Sequence, residues 1–291
     1  CRELESAVFL SSFYDPFLHK YSYIDINMSF SIDKSYKKVK ISDFTQKVTK
    51  VVLSGNELID IALQDEVTAR WRISPYEFCT LEEFDRIKTN GDYYFLLVTR
   101  DRFKKDSSPS IQFLTLVKGG KEASEGIGEM LEVVSMPIAS AQFPSGREII
   151  FLPAFLNIIQ EYTLDAMDKD TDAYGGLGNH TGRIPKSDNL SIVLSKGDLA
   201  VDPALLEGIK LGDGVTIASE EETDALMTDE AAGTIISYVV APFDPQPGAF
   251  CYKMLIDTQA HRLYYYKRHR ISEKAGAGFL KADLKRISHA R

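Results

Sequence analysis

The sequence predicts an α/β (or α+β) fold: an N-terminal helix-flanked mixed sheet, followed by a smaller, mainly β domain with a C-terminal hairpin and helix. Three observations carry this. Between residues 50 and 168, short β-branched or aromatic runs alternate with segments whose apolar residues recur every three to four positions. A polar, Gly-rich stretch over 169–189 then interrupts the pattern. Beyond it, the apolar run at 250–257 and the alternating aromatic and basic residues at 261–271 flank Thr258-Gln259, as in a β-hairpin. The expected organisation is an aromatic leader over 1–49 packing on the first domain, an α/β domain over 50–168, a linker over 169–189 and a mainly β domain over 190–291.

In chain order, Lys50 to Ser54 reads as a strand broken by Gly55-Asn56. Leu58, Ile59, Ala62, Leu63, Val67 and Trp71 then share a helical spacing, with Asn56 as N-cap. Residues 71–78 can be extended, and Pro75 places them at an edge. Thr80 with Glu83 fits a capping box for a short helix. Tyr93 to Thr99 and Ile111 to Val117 are strands joined by a polar loop. Two helices are expected next, over 121–135 and 147–168. In the second half, strands are expected at 190–195, 215–219 and 234–242, and a closing helix at about 278–288.

The chain has 291 residues, with 34 Lys+Arg against 42 Asp+Glu for a net charge of -8, and 44% are hydrophobic. That composition excludes wholesale disorder, collagen-like repeats and a disulfide-dense miniature scaffold. A net charge of -8 also argues against a dedicated nucleic-acid protein. The charge is uneven: residues 261–291 carry nine Lys/Arg and two Asp/Glu, and residues 202–230 carry nine acids and one Lys. Either these segments face each other or the basic end meets an anionic partner.

Few motifs carry chemistry. There is no GxxxxGK[ST], GxGxxG, HExxH or GxSxG, so no catalytic residue is assigned and none points to a cofactor. Gly175-Gly176-Leu177-Gly178 follows a helix rather than a strand, and reads as linker. Neither the histidines nor the cysteines have metal-ligand spacing, and Asp168, Asp170 and Asp172 lack the glycine and glutamate of a calcium loop. No metal is expected. Ser54, Gly55 and Asn56 sit where a first strand turns into a helix, the place for an anion or ligand site in α/β folds, or for an ordinary cap. On the hairpin, Arg262, Tyr264, Tyr266, Arg268 and Arg270 alternate with a core face, and are assigned as an interaction surface.

The chain begins at Cys1, which leaves two readings: a trimmed chain end, or a lipid-bearing cysteine of a processed bacterial lipoprotein. Cys79 and Cys251 read as free, buried thiols. The stretch from Lys50 to Thr99, with KVVLSGNELIDIAL, Trp71-Arg72 and DYYFLLV, resembles small α/β domains of exported envelope lipoproteins of Bacteroidota. The resemblance covers about a sixth of the chain. It implies an exported, periplasmic or outer-membrane-associated protein, with a cytoplasmic place still open. The function expected is that of a non-enzymatic accessory or scaffold protein. It would bind a protein partner, such as a subunit of an outer-membrane complex, with a lipid anchor at Cys1. The alternatives are a small-ligand binder or hydrolase with its site at the strand ends or between the domains, and a glycan-binding protein.

Overall fold

A computed structural model describes residues 24–26, 41–101, 110–168, 176–178, 180–181, 183–186, 189–200 and 211–290. Its strands form two mixed sheets. The first contains β1 (Ile24–Ile26), β2 (Val48–Val52), β3 (Tyr76–Cys79), β4 (Tyr93–Asp101), β5 (Ile111–Lys118) and β6 (Leu131–Ser140). Its order is β3-β2-β4-β5-β6, with β1 pairing the far end of β4. The second contains β7 (Ser191–Ser195), β8 (Val215–Ala218), β9 (Thr234–Val240), β10 (Phe250–Asp257) and β11 (Leu263–Arg270), in the order β11-β10-β9-β7-β8.

Among the described residues the α-helices are α1 (Glu57–Arg70), α2 (Leu81–Ile87), α3 (Arg147–Ile150), α4 (Leu152–Asp168), α5 (Glu220–Thr228) and α6 (Lys281–Ala290). None of them is long and apolar enough to cross a membrane. Local chemistry explains their starts. Asn56 caps α1 by accepting from Ile59 N, and Thr80 caps α2 by accepting from Glu83 N. Ser219 and Glu222 form a full capping box at the start of α5.

The two halves share one topology. Counting from β2 in the first half and from β7 in the second, the first strand lies parallel between the second and the third, and the third to fifth strands form an antiparallel meander. In each, a Thr- or Ser-capped helix links the second and third strands, and a helix follows the fifth. The layers are nonetheless used differently. On the first sheet, Val51, Tyr94, Leu96 and Val98 face α1 and α4, whereas Val52, Phe95 and Leu97 face Phe84 of α2. On the second sheet, Val193, Ile236, Tyr238 and Met254 join Met227 of α5, whereas Ile192, Leu194 and Leu255 face Leu284 and Ile287 of α6. The α1/α4 side of the first sheet and the α5 side of the second contribute to one continuous core. Phe113 meets Tyr252 edge-on across it, with ring centroids 5.7 Å apart.

Three sequence expectations need correction. The helix expected over 121–135 is instead two 3₁₀ turns, Lys121–Glu125 and Ile127–Glu129, running into β6. Gly126 at φ 129° separates the turns, and Val133, Val134, Met136 and Ile138 are buried strand residues. Second, α5 lies in the acidic segment, for which no helix is expected from the sequence. Third, the described part of the linker is docked: Leu177 is buried in the main core, and His180 Nδ1 lies 3.0 Å from Asp165 beside the Tyr162 ring. Asp170 and Asp172 lie outside the described residues.

Cys79 and Cys251 are free and buried, and burial pushes both thiols up to about 11. Cys1 lies outside the described residues. Burial also lowers the pKa of His261, at the β10–β11 turn, with Arg70 adding to the effect. His269 is lowered as well, again mainly by burial. The unfolded chain therefore binds protons here more readily than the folded one. The stability these two histidines contribute is full above pH ~6.5 and falls as the pH drops through that value. The urea midpoint should be lower at pH 5.5 than at pH 7.5, with a smaller drop in His261→Gln. An identical drop in that variant would remove His261 from the account.

Candidate ligand cleft between the two sheets

In the second sheet the chain leaves β7 to form β8 on one side and returns to form β9 on the other. The carboxyl ends of β7 and β9 therefore flank a topological switch point, the usual place for a crevice in such sheets. A cleft of about 370 Å³ opens there. Its walls come from both halves: the end of β6 and the following loop (Ser140, Phe143), the start of α3 (Arg147), the turn after β7 (Asp198), the start of α5 (Glu220) and the end of β9 (Tyr238). Phe143 and Phe243 stand exposed at the mouth, with ring centroids 4.5 Å apart.

Arg147 is the centre of this arrangement. Gly146, at φ 89°, turns the chain into α3, and Glu148 accepts from its backbone N–H at 3.0 Å. Arg147 then reaches into the second half. Its Nε donates to Asp224 at 2.8 Å, and its Nη1 lies 3.3 Å from both Asp198 and Glu220. The guanidinium also packs over the rings of Phe151 and Tyr238, at 5.4 and 5.1 Å. Its side chain is only 7% exposed. Burial opposes the charge, but Asp198 and Asp224 hold the pKa above its ordinary value.

Asp198 is held by the turn. Its Oδ2 accepts from Ser237 Oγ at 2.6 Å, and Ser237 Oγ accepts from Ser195 N at 2.7 Å. Gly278, at φ 116°, passes so close that a Cβ would lie 2.5 Å from Asp198 O, which lets Phe279 N donate to that oxygen at 2.8 Å. Burial pushes the Asp198 carboxyl up, against the pull of Arg147. Burial likewise raises Glu148 and the Tyr238 phenol, whose OH donates to Ile138 O at 2.6 Å. Two polar atoms of cleft residues are buried with no hydrogen-bond partner among the described residues: Arg147 Nη2 and Ser140 Oγ.

The residues singled out from the sequence fall elsewhere. Ser54, Gly55 and Asn56 occupy the matching switch point of the first sheet, but the α1 residue Asp60 fills it. Its carboxylate accepts from Ser54 N at 2.7 Å, Ser54 Oγ at 2.9 Å and Gly55 N at 2.8 Å. On the hairpin, the strict alternation is broken by a register shift: Leu255 faces Tyr265 and Ile256 faces Leu263, so Tyr264 is bulged out of the ladder. Tyr264 packs on the outer core and Tyr266 on the main core near Tyr252, 6.2 Å between centroids. Arg262 is exposed beside Glu161 at 3.6 Å. Arg268 and Arg270 are exposed and lie over the Phe250 ring at 5.1 and 4.4 Å.

Sequence reasoning missed the cleft residues. The Ser219–Glu222 capping box could have placed Glu220, and Pro144-Ser145-Gly146 could have marked a loop entering a helix at Arg147. No local pattern joins Arg147 to partners 51, 73 and 77 positions away. Among the described residues, no group of three His, Cys, Asp or Glu side chains could hold a metal ion. Protein-family models, curated proteins and solved structures yield no match to this chain.

Proposed function

We propose that this chain is a binding protein and that the cleft between its two sheets receives a small ligand. One observation carries the reading. A buried arginine from the first half reaches the switch point of the second, beneath an open cleft with an exposed aromatic pair at its mouth. A purely structural ion-pair cluster would not need an open cleft above it, and pockets of this size suit small molecules. The test is a thermal-shift screen with amino-acid-sized compounds of cationic, neutral and anionic classes. At a hundred times its Kd, a ligand adds about 2.7 kcal/mol. For a chain of this size that raises Tm by several degrees. At least one class should do so in the wild type and lose its effect in Ala277→Trp, where an indole fills the cleft. A screen with no shift, or shifts that persist in Ala277→Trp, would overturn the proposal.

A second reading, an accessory protein that docks a protein partner, is favoured by the exposed Arg268–Phe250–Arg270 stack. Replacing Arg262, Arg268 and Arg270 by Glu should abolish co-purification of a partner from the source cell. Retention at the wild-type level would end this reading.

A further inference from the structure

We infer that the ligand of this cleft is an organic ammonium carrying its own carbonyl group, the pairing found in amino-acid amides and at peptide N-termini; this rests on the binding role just proposed. Charge decides the first half of the description. One guanidinium is surrounded by the carboxylates of Asp198, Glu220 and Asp224, so the formal local charge is +1 - 3 = -2. A proton on Asp198 would still leave -1. An anionic ligand would be repelled, and a cation attracted. Glu220 is half-exposed at the cleft wall, where a ligand ammonium can reach its carboxylate. The exposed faces of Phe143 and Phe243 favour a cation with an apolar body.

The second half of the description comes from the unpaired atoms. Arg147 Nη2 is a buried donor without an acceptor, on a side chain more than nine-tenths buried whose Nε and Nη1 are already engaged. Ser140 Oγ is buried and unpaired on the same cleft. A bare amine would satisfy Glu220 and leave both of these unmet. Both atoms are closed off from the cleft in this structure, so a carbonyl beside the ammonium supplies the acceptor through a small turn of the Arg147 and Ser140 side chains, and orients the ligand with its amine toward Glu220.

Calorimetric titration of the full chain tests this with L-phenylalaninamide, its N-acetyl derivative, N-acetyl-L-phenylalanine and phenethylamine. L-Phenylalaninamide should bind. Removing its charge by acetylation, or its carbonyl as in phenethylamine, should weaken binding by about tenfold or more. Glu220→Gln should weaken the amide by a similar factor while leaving phenethylamine weak. The tripeptide Phe-Gly-Gly separates the two sources of the grouping: tighter binding than the amide points to a peptide end, weaker binding to a free small molecule. Equal binding of the acetylated amide, or tighter binding of the anion, would overturn the inference. If only another compound class binds and Ala277→Trp abolishes it, the binding role stands and this ligand class falls. If nothing binds, both fall.

Discussion

Arg147→Met is expected to cost about 3–5 kcal/mol of folding stability, because it strands buried carboxylates without their counter-charge. Asp198 is the main loser: it is 3% exposed, and the hydrogen bond left to its carboxylate is the one from the Ser237 hydroxyl. Asp224 loses a 2.8 Å hydrogen bond as well. Arg147→Lys should recover only part of the loss, since an ammonium cannot reproduce the planar fork that meets Asp224, Asp198 and Glu220 together. Arg147→Met with Asp198→Asn should be less damaging than the sum of the two single changes, because the second removes the charge stranded by the first. Urea unfolding followed by circular dichroism checks all four proteins. A loss under about 1 kcal/mol for Arg147→Met would show that water reaches the site and screens the carboxylates.

The second large effect is expected at Asp283. Lys253 lies in the middle of the second sheet with no exposure, and its ammonium donates to the Asp283 carboxylate. Asp283 also accepts from Tyr265 OH at 2.7 Å and from Leu280 N at 2.9 Å, and Lys267 Nζ lies 3.4 Å away. Burial works against the carboxylate, but the hydrogen bonds from Lys253 and Tyr265 hold its pKa below the usual range. Asp283→Leu removes the counter-charge of a buried ammonium and a cap of α6, for an expected loss of about 3–5 kcal/mol. The double change Lys253→Met, Asp283→Leu should recover most of it, since an apolar pair of similar volume removes the desolvation cost. A double variant no more stable than Asp283→Leu would mean that the cap and the tyrosine, not the ion pair, dominate.

The legible parts of the fold are those fixed by short-range rules. The caps at Asn56 and Thr80, the edge placement of the strand that follows Pro75 and the β10–β11 hairpin each depend on residues within a few positions of one another. Residues 121–135 misled because Ile127, Met130, Leu131 and Val134 mimic helical spacing. The glycine at 126 and the β-branched pair at 133–134 instead send the chain into a strand whose neighbour, β5, is set by tertiary pairing. The shared topology of the halves escaped for a related reason. Val51-Val52-Leu53-Ser54 and Ile192-Val193-Leu194-Ser195 are similar, but the segments beyond them differ in length and charge. The cleft was only half-legible. The switch point at Ser54–Asn56 is a reasonable place to look, and its counterpart after β7 is where the opening lies. At the first switch point the backbone N–H groups of Ser54 and Gly55 are taken up by the Asp60 carboxylate, which the sequence places one helical turn beyond the N-cap without saying where it points.

The two halves meet through unlike faces, the α1/α4 side of one sheet and the α5 side of the other. Such a contact is heterologous, and no two-fold axis relates the halves across it. Arg147 consequently has no symmetry mate: among the described residues, none of the second half is carried back to the switch point of the first sheet in the same way. The chain repeats its topology without repeating its site. Ligand binding in the cleft should therefore saturate at one molecule per chain, with a hyperbolic isotherm and no cooperativity between halves.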